Sequence, residues 1–510
     1  MRILISFLFG LALSAAPSDV GFAKLQRGPM AVGWTVVRQF DYSRAYLKPV
    51  DLVTGRPVTA EPARPMQMLI WYPAKAGGAP VRYADYLATE ATDQVFDQSK
   101  ADLANFLDKQ HRNAVARLGG AQARAMFEQS MWAVKDASPI QGKFPIVIYG
   151  PGVGGVAHEV ADLAELLASH GYVVISSRSM GPNSSLMSTD RAGIEAQVRD
   201  YQFLMSFAHS LPQADVRQMA LVGWSWGGMT NVFVAERDHR VRALVSLDGT
   251  REPEFTKALS PHSLRVPWLY VQRHPQTVAE LAAAGIESSF SLLNEAKWAD
   301  LYQVVMYPME HVDFSSAALR LARPSHFGEY TRGEVEQAYA WTARYVLAFL
   351  DAQIKKDPAA SAFLERRPVE NGVPAHMARI SHRAPASGPL PTREGFAASL
   401  ASQGFGQAST IYRDLHAANP SFSLSDNDIN QWGYQLWERE GHPANAVALF
   451  QFGTQLYPAN GNLFDSLGEA QEAAGNLQGA LVSYRRSLEL DPANGHARDR
   501  IAHLVSVGAK

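Results

Sequence analysis

The feature that most constrains the fold of this chain is a series of short apolar strands that alternate with amphipathic helices. The predicted strands of the series are Phe144–Tyr149, Tyr172–Ser176, Met219–Val222, Val241–Leu247, Val266–Val271 and Leu301–Tyr307. Helical patterns separate them at Val156–His170, Gly193–His209 and Trp226–Glu236, and Val335–Ile354 closes the series. Apolar strands joined by helices predict an α/β fold with a mostly parallel, doubly wound sheet. Right-handed crossovers then bring the carboxyl ends of the parallel strands to one edge, where sites form.

The 510 residues exceed one ordinary core and predict more than one domain. The strand and helix pattern assigns residues 28–355 to the first domain. Within it, residues 83–134 have the composition of two or three helices and are predicted to be a helical insertion. This insertion and residues 277–297 are the two candidate lids. Residues 366–393 are rich in Pro, Arg and Ser, which predicts a linker.

Residues 394–510 predict an all-α domain of helical repeats. Four pairs of residues stand 34 positions apart: Gly441 and Gly475, Ala446 and Ala480, Phe450 and Tyr484, Pro458 and Pro492. This period and these residue types are the tetratricopeptide signature. Two or three repeats are near the minimum for a stable stack. The domain is expected to pack against the first domain, to self-associate or to bind a protein whose identity the sequence does not give.

The first residues predict a signal peptide of the bacterial type. Arg2 precedes an apolar run from Ile3 to Ala16, and Gly21–Ala23 suits cleavage, with a cut near Ala15 as the alternative. The run is short of the roughly 20 apolar residues that a membrane span needs. We therefore expect residues 1–23 to be removed from a secreted or periplasmic protein with no membrane span.

Composition excludes several classes of function. Lys plus Arg total 47 against 49 for Asp plus Glu, so the net charge of −2 indicates no nucleic-acid partner. The chain has no cysteine, which removes disulfides, cysteine metal sites and a cysteine nucleophile.

One motif in the strand and helix series carries chemistry. Gly223-Trp224-Ser225-Trp226-Gly227 matches G-x-S-x-G, a weak pattern by itself because the chain has 38 glycines. Its place between a predicted strand and a predicted helix is that of a nucleophile elbow. Glycines there relieve crowding around a strained serine, and the helix N-terminus favours an oxyanion. Ser225 is therefore the predicted nucleophile.

A serine nucleophile needs a histidine base and an acid that orients it, and in elbow-type hydrolases the chain order is serine, acid, histidine. Asp248 follows the next strand and is the predicted acid; a turn aspartate before a glycine is the alternative. His311 follows the last strand and is the predicted base, in competition with His274 and His326. Asp313 is expected to pin the loop that carries His311 or to add a second carboxylate.

The predicted oxyanion hole uses two main-chain N–H groups. Trp226, directly after the nucleophile, supplies one. The other is expected from the loop Gly150–Gly155, whose glycines allow close approach to a substrate. Pro151 has no N–H, so Val153 is the predicted donor. A tight turn without a catalytic role is the alternative.

Together these residues resemble the platelet-activating factor acetylhydrolase group of α/β-hydrolases, in its bacterial, dienelactone-hydrolase-like branch. The matching stretches, within about residues 28–355, are Arg64–Pro73, Phe144–Gly155, His170–Tyr172, the elbow, Ser246–Asp248 and Glu310–Phe314. The separation of 23 residues between Ser225 and Asp248 is similar to that of the family. One departure is Pro151-Gly152, where the family commonly has His-Gly.

The resemblance implies that Ser225, Asp248 and His311 act as nucleophile, acid and base, with main-chain donors at Val153 and Trp226. It also implies esters with short acyl chains, acetylated or oxidised phospholipids among them, as small-molecule substrates. No metal or organic cofactor is expected. Two alternatives stay open: a peptidase or amidase that uses the same triad, and a non-catalytic interaction protein whose repeat domain carries the function.

Overall fold

The computed structural model describes residue 22 and residues 24–50, 54–249, 253–275, 278–283 and 291–508. The chain divides into two compact units, residues 1–385 and 386–510. Apart from residue 22, the predicted signal peptide lies outside the described residues. In the ranges just given, no helix is long and apolar enough to cross a membrane.

Within the described part of the first unit, eleven strands form one sheet. The strands are β1 (Ala31–Ala45), β2 (Ala63–Ala74), β3 (Pro80–Arg82), β4 (Ser130–Lys135), β5 (Phe144–Gly150), β6 (Val173–Ser177), β7 (Ala214–Trp224), β8 (Val241–Leu247), β9 (Trp268–Gln272), β10 (Leu301–Met306) and β11 (Ala378–Arg383). Their order across the sheet is β11-β10-β9-β8-β7-β5-β6-β2-β1-β4-β3. All neighbours from β10 to β6 are parallel, as are β1 and β4, and the remaining pairs are antiparallel. The predicted α/β class with a mostly parallel sheet is confirmed.

Helices cover both faces of this sheet. They are α1 (Tyr83–Ala88), α2 (Lys100–Leu118), α3 (Gly120–Glu128), α4 (Ala161–Ser169), α5 (Arg191–Phe207), α6 (Trp226–Arg237), α7 (Pro253–Thr256), α8 (Val278–Ala283), α9 (Leu292–Glu295), α10 (Ser316–Arg320), α11 (Arg332–Gln353) and α12 (Pro358–Glu365). Alternate residues of β5 enter different cores, Val147 on one face and Ile146 and Ile148 on the other. Burial on both faces is why this strand is apolar throughout.

The strand register places the candidate catalytic segments side by side. Trp224, the last residue of β7, pairs with Leu247, the last residue of β8. Gly150, at the end of β5, pairs with Gly223 on the other side of β7. The segments that follow β5, β7 and β8 therefore begin at one edge of the sheet, as parallel strands require.

Two predicted boundaries differ from the structure. The predicted linker, residues 366–393, contains β11, which pairs antiparallel with β10, so the first unit continues to residue 385. This edge strand buries few of its side chains, so it has no long apolar run by which to recognise it. In the predicted helical insertion, residues 83–134, the helices α1–α3 are present, but β4 begins at Ser130 and pairs in parallel with β1.

The second unit is helical. Its helices are α13 (Arg393–Gln403), α14 (Ala408–Ala418), α15 (Asp426–Tyr434), α16 (Pro443–Leu456), α17 (Gly461–Ala473), α18 (Leu477–Leu490) and α19 (Gly495–Ser506), with a π-helical stretch at Gln435–Arg439. One contact occurs twice: a Cβ at Gly433 would lie 2.2 Å from the Phe450 ring, and one at Gly468 would lie 2.6 Å from the Tyr484 ring. Glycine thus allows an aromatic ring of the next helix to approach at two related positions. The tetratricopeptide assignment stays a prediction.

Candidate active site

Ser225 lies in a sharp turn between a strand and a helix. β7 ends at Trp224 and α6 begins at Trp226, so Ser225 is the only residue between them. Its φ of 53° and ψ of −123° are a conformation that non-glycine residues rarely adopt. The turn is held because the Ser225 N–H donates to the carbonyl of Leu247 at 2.9 Å. Such strain, fixed by its surroundings, is typical of a functional position.

The glycines around Ser225 allow three chain segments to meet there. A Cβ on Gly227 would lie 2.0 Å from the carbonyl oxygen of Gly150. A Cβ on Gly249 would lie 2.6 Å from the carbonyl oxygen of Ser225, and one on Gly152 would lie 3.5 Å from the Ser225 Cβ. Side chains at these positions would push the elbow away from the segments after β5 and β8.

His311 lies between Ser225 and Asp248. The Ser225 hydroxyl is 2.8 Å from Nε2 of His311, and Nδ1 of the same ring is 2.6 Å from Oδ2 of Asp248. The Asp248 carboxylate is fully buried, whereas a third of the His311 side chain is exposed. A carboxylate on Nδ1 keeps that nitrogen protonated and leaves Nε2 to accept the serine proton.

Arg273 also contacts the Asp248 carboxylate. Its main-chain N–H donates to Oδ1 of Asp248 at 3.3 Å, and its Nε lies 3.3 Å from Oδ2. The guanidinium also lies 3.7 Å from the carboxylate of Glu310. The Arg273 guanidinium thus adds an ion pair to the carboxylate that orients His311.

Three contacts fix the segment that carries His311. The indole Nε1 of Trp224 donates to the His311 carbonyl at 2.8 Å. Asp313 accepts the Glu310 N–H at 2.7 Å, and its other oxygen lies 2.7 Å from Nε2 of His326. Burial raises the pKa of the Asp313 carboxyl. Asp313 therefore pins the loop, which is one of the two roles expected for it.

The loop at the end of β5, residues 150–155, lies against the elbow. The Val153 N–H of this loop and the Trp226 N–H of α6 are the two candidate oxyanion donors. Among the described residues, neither the Val153 N–H nor the Trp226 N–H donates to another protein group. Gln197 holds the loop by donating to the Pro151 carbonyl at 2.9 Å. This hydrogen bond attaches the loop to α5 at Pro151.

The structure joins the predicted residues Ser225, His311 and Asp248 in one chain of hydrogen bonds. Neither competing histidine occupies the place of the base. His326 contacts Asp313, and in the described ranges no hydrogen bond joins His274 to Ser225.

Sequence reasoning missed the residues that hold the site from outside it. Trp224, Arg273 and Gln197 contact segments that are distant in the chain, and no local pattern marks such pairs. For Trp224 alone a signal existed, because it occupies a variable position of the elbow motif. Within the ranges that the structure describes, no group of three or more His, Asp and Glu side chains could hold a metal ion.

Comparison with known proteins gives a family match over the core of the sheet. The family model described as "alpha/beta hydrolase fold" matches residues 145–272, which run from the second residue of β5 to the end of β9 and include the elbow. With the strand order and the elbow, this match shows an α/β hydrolase fold followed by a C-terminal helical region.

Two individual proteins are similar to parts of the chain. A protein of Salmonella typhi named "Putative carboxymethylenebutenolidase" is 26% identical over 191 residues, which are 36% of this chain and 63% of that protein. The chain therefore spans less than two thirds of this relative. The structure of a ferulic acid esterase from Streptomyces cinnamoneus aligns with 72% of this chain and 98% of its own, at 19% identity and a TM-score of 0.48.

Proposed function

We propose that this protein is a serine-dependent carboxylic ester hydrolase that works through an acyl-enzyme. The observation that carries the proposal is the pair of short contacts on one imidazole, 2.8 Å from the Ser225 hydroxyl and 2.6 Å from the Asp248 carboxylate. A serine activated by an oriented histidine attacks acyl carbonyls. The α/β hydrolase fold and the elbow supply the setting in which this chemistry is common.

The mechanism has two steps, acylation of Ser225 and hydrolysis of the acyl-enzyme. His311 Nε2 takes the proton of Ser225 as Oγ bonds to the ester carbonyl carbon, and the Val153 and Trp226 N–H groups stabilise the oxyanion. The carbonyl re-forms, the bond to the alkoxy oxygen breaks, and His311 gives its proton to the leaving alcohol. Water, deprotonated by His311, then attacks the acyl-enzyme, and the acid leaves as Ser225 regains its proton.

The substrates proposed are esters with short acyl chains, acetylated phospholipids among them, by analogy with the acetylhydrolase group that the sequence resembles. We further propose that the protein is secreted or periplasmic, and that its C-terminal helical unit self-associates or binds a protein. Of the two candidate lids, residues 277–297 are partly outside the described residues.

The test is hydrolysis of p-nitrophenyl acetate by the full-length protein. Ser225→Ala removes the nucleophile, so turnover should fall by at least about 10³-fold, to background. Ser206→Ala is the matched control, because Ser206 is exposed on α5, and its activity should equal that of the wild type. Activity retained by Ser225→Ala would refute the assignment of the nucleophile.

A fluorophosphonate probe separates the enzyme from a non-catalytic interaction protein. Wild-type protein should be labelled at Ser225 and the Ser225→Ala variant should not. Folded wild-type protein that stays unlabelled would contradict the proposal. Turnover of amino-acyl amides at rates equal to those of aryl esters would favour a peptidase or amidase, which uses the same triad.

A further inference from the structure

We propose that Glu159 is a positioning residue that fixes the oxyanion loop, residues 150–155, against the catalytic elbow. This inference rests on the ester hydrolase function proposed above. Glu159 lies just before α4, is only 2% exposed, and touches none of Ser225, His311 and Asp248 by hydrogen bond.

The side chain of Glu159 lies directly behind the loop. Its Oε1 accepts the Gly152 N–H at 3.1 Å and the Tyr149 hydroxyl at 2.9 Å. Gly155 makes room for the carboxyl, since a Cβ there would lie 2.3 Å from Oε2. Gly152 packs against Ser225. The next peptide group carries the Val153 N–H, so an acceptor that fixes the Gly152 N–H also fixes the direction of the Val153 N–H.

The main chain of Glu159 reaches the other half of the site. Its carbonyl accepts the Ala317 N–H at 3.2 Å and the Ser316 hydroxyl at 3.1 Å. Both residues follow shortly after the turn that carries His311. One buried residue therefore joins the loop of the oxyanion donors to the segment of the base, and a shift of Glu159 changes their separation.

Burial sets the protonation state of Glu159. It raises the pKa of this carboxyl to about 8, although the Tyr149 hydroxyl and the Gly152 N–H both lower it. The Glu159 carboxyl binds the N–H of Gly152, the residue before the Val153 donor. In its ionised form it would repel the negative charge that develops on the substrate in the transition state. The neutral acid keeps an acceptor oxygen for the Gly152 N–H without that charge.

The tyrosine hydroxyls around Glu159 ionise at higher pH than the Glu159 carboxyl does. Tyr149, Tyr201 and Tyr339 face it from β5, α5 and α11, and burial raises the pKa of each of these hydroxyls. Nearby, His158 contacts Glu90 at 2.8 Å and Asp162 pairs with Arg320 at 2.6 Å. Ionisation of Glu159 is therefore expected to lower activity near pH 8.

The experiment compares pH profiles of ester hydrolysis by the full-length protein, with Ser225→Ala as the blank at each pH. The wild type should lose kcat as pH rises through about 8. Glu159→Gln keeps an acceptor and cannot ionise, so it should retain kcat near that of the wild type at pH 7 and keep it at pH 9. Tyr149→Phe removes a donor that favours the carboxylate, so its alkaline limb should move to higher pH.

Glu159→Ala removes the acceptor for the Gly152 N–H. We expect kcat to fall about 10- to 100-fold with KM within about twofold, since the loss concerns the transition state. Glu165→Gln is the matched control: Glu165 is an equally buried glutamate in α4, but it binds Tyr86 and the main chain of β4. It should keep the kcat and the alkaline limb of the wild type.

The outcomes separate the two proposals. If the wild type neither hydrolyses esters nor reacts with a fluorophosphonate, the proposed function fails. If the wild type is active but Glu159→Gln keeps its alkaline limb unchanged, or Glu159→Ala keeps full kcat, the role of Glu159 is overturned and the proposed function stands. Should Glu159→Ala not fold, the profiles of Glu159→Gln and Tyr149→Phe still decide.

Discussion

Replacing Gly227 by alanine tests whether the contact between the elbow helix and the oxyanion loop controls catalysis. Gly227 is the second residue of α6, and a Cβ there would lie 2.0 Å from the Gly150 carbonyl oxygen and 2.6 Å from that of Pro151. Cβ atoms essentially never approach other heavy atoms closer than 3.0 Å, so helix and loop must separate by about 1 Å. Both obstacles are main-chain atoms, which cannot rotate away as a side chain can.

The substitution is expected to lower both activity and stability. A misplacement of about 1 Å at reacting groups lowers rates about 100-fold, so kcat of Gly227→Ala should fall by about that factor. Overpacking of this kind costs about 1–3 kcal/mol of unfolding free energy. KM should change little if the ester still binds beside the displaced donors.

Gly333→Ala is the matched control. Gly333 is the second residue of α11, and the nearest atom to a Cβ there is the Thr331 hydroxyl oxygen at 3.9 Å. Alanine in a helix with free space is favoured over glycine by about 0.5–1 kcal/mol, so this variant should be slightly more stable and fully active. Steady-state kinetics and urea unfolding measure both variants. A folded Gly227→Ala protein with kcat within threefold of wild type would refute the reasoning.

Three further changes test other contacts. Trp224→Phe deletes the 2.8 Å hydrogen bond to the His311 carbonyl, which is worth about 0.5–1.5 kcal/mol. The kcat of ester hydrolysis should therefore fall by up to about tenfold. An unchanged kcat would show that this hydrogen bond does not position His311. Arg64→Met removes one of the two arginines that pair with the buried Asp200, while Arg44 stays 2.7 Å from it, so the free energy of unfolding in urea should fall by about 1.5–3 kcal/mol; a loss below about 0.5 kcal/mol would contradict this. Burial raises the pKa of Glu165 from 4.5 to about 7. The wild type should therefore lose stability relative to Glu165→Gln as pH rises through that range, by about 1.4 kcal/mol per pH unit. Parallel stability curves of the two proteins from pH 4 to 8 would contradict this expectation.

The pH prediction follows from the sign of the shift. Between its two pKa values, Glu165 binds its proton in the folded state and not in the unfolded state. Folding then takes up a proton, so raising the pH favours the unfolded chain. Below pH 4 Glu165 is protonated in both states, so the difference in stability between the wild type and Glu165→Gln should be level there.

The fold was predictable where burial dictates composition. Strands β5–β10 are covered on both faces, so each is a short apolar run that stands out from the helices beside it. Where burial is one-sided or slight, the prediction was wrong: β11 exposes most of its side chains and lay in the predicted linker, and β4 lay in the predicted helical insertion.

By itself the sequence determined the parallel sheet, the elbow at Ser225 and the order of Asp248 and His311 after it, because apolar periodicity and the glycines of a strained turn are local properties. Only the tertiary structure decided which histidine reaches Ser225 and what holds the oxyanion loop. The contacts of Trp224 and Glu159 join segments far apart in the chain, and pairing at a distance depends on packing that no local pattern records.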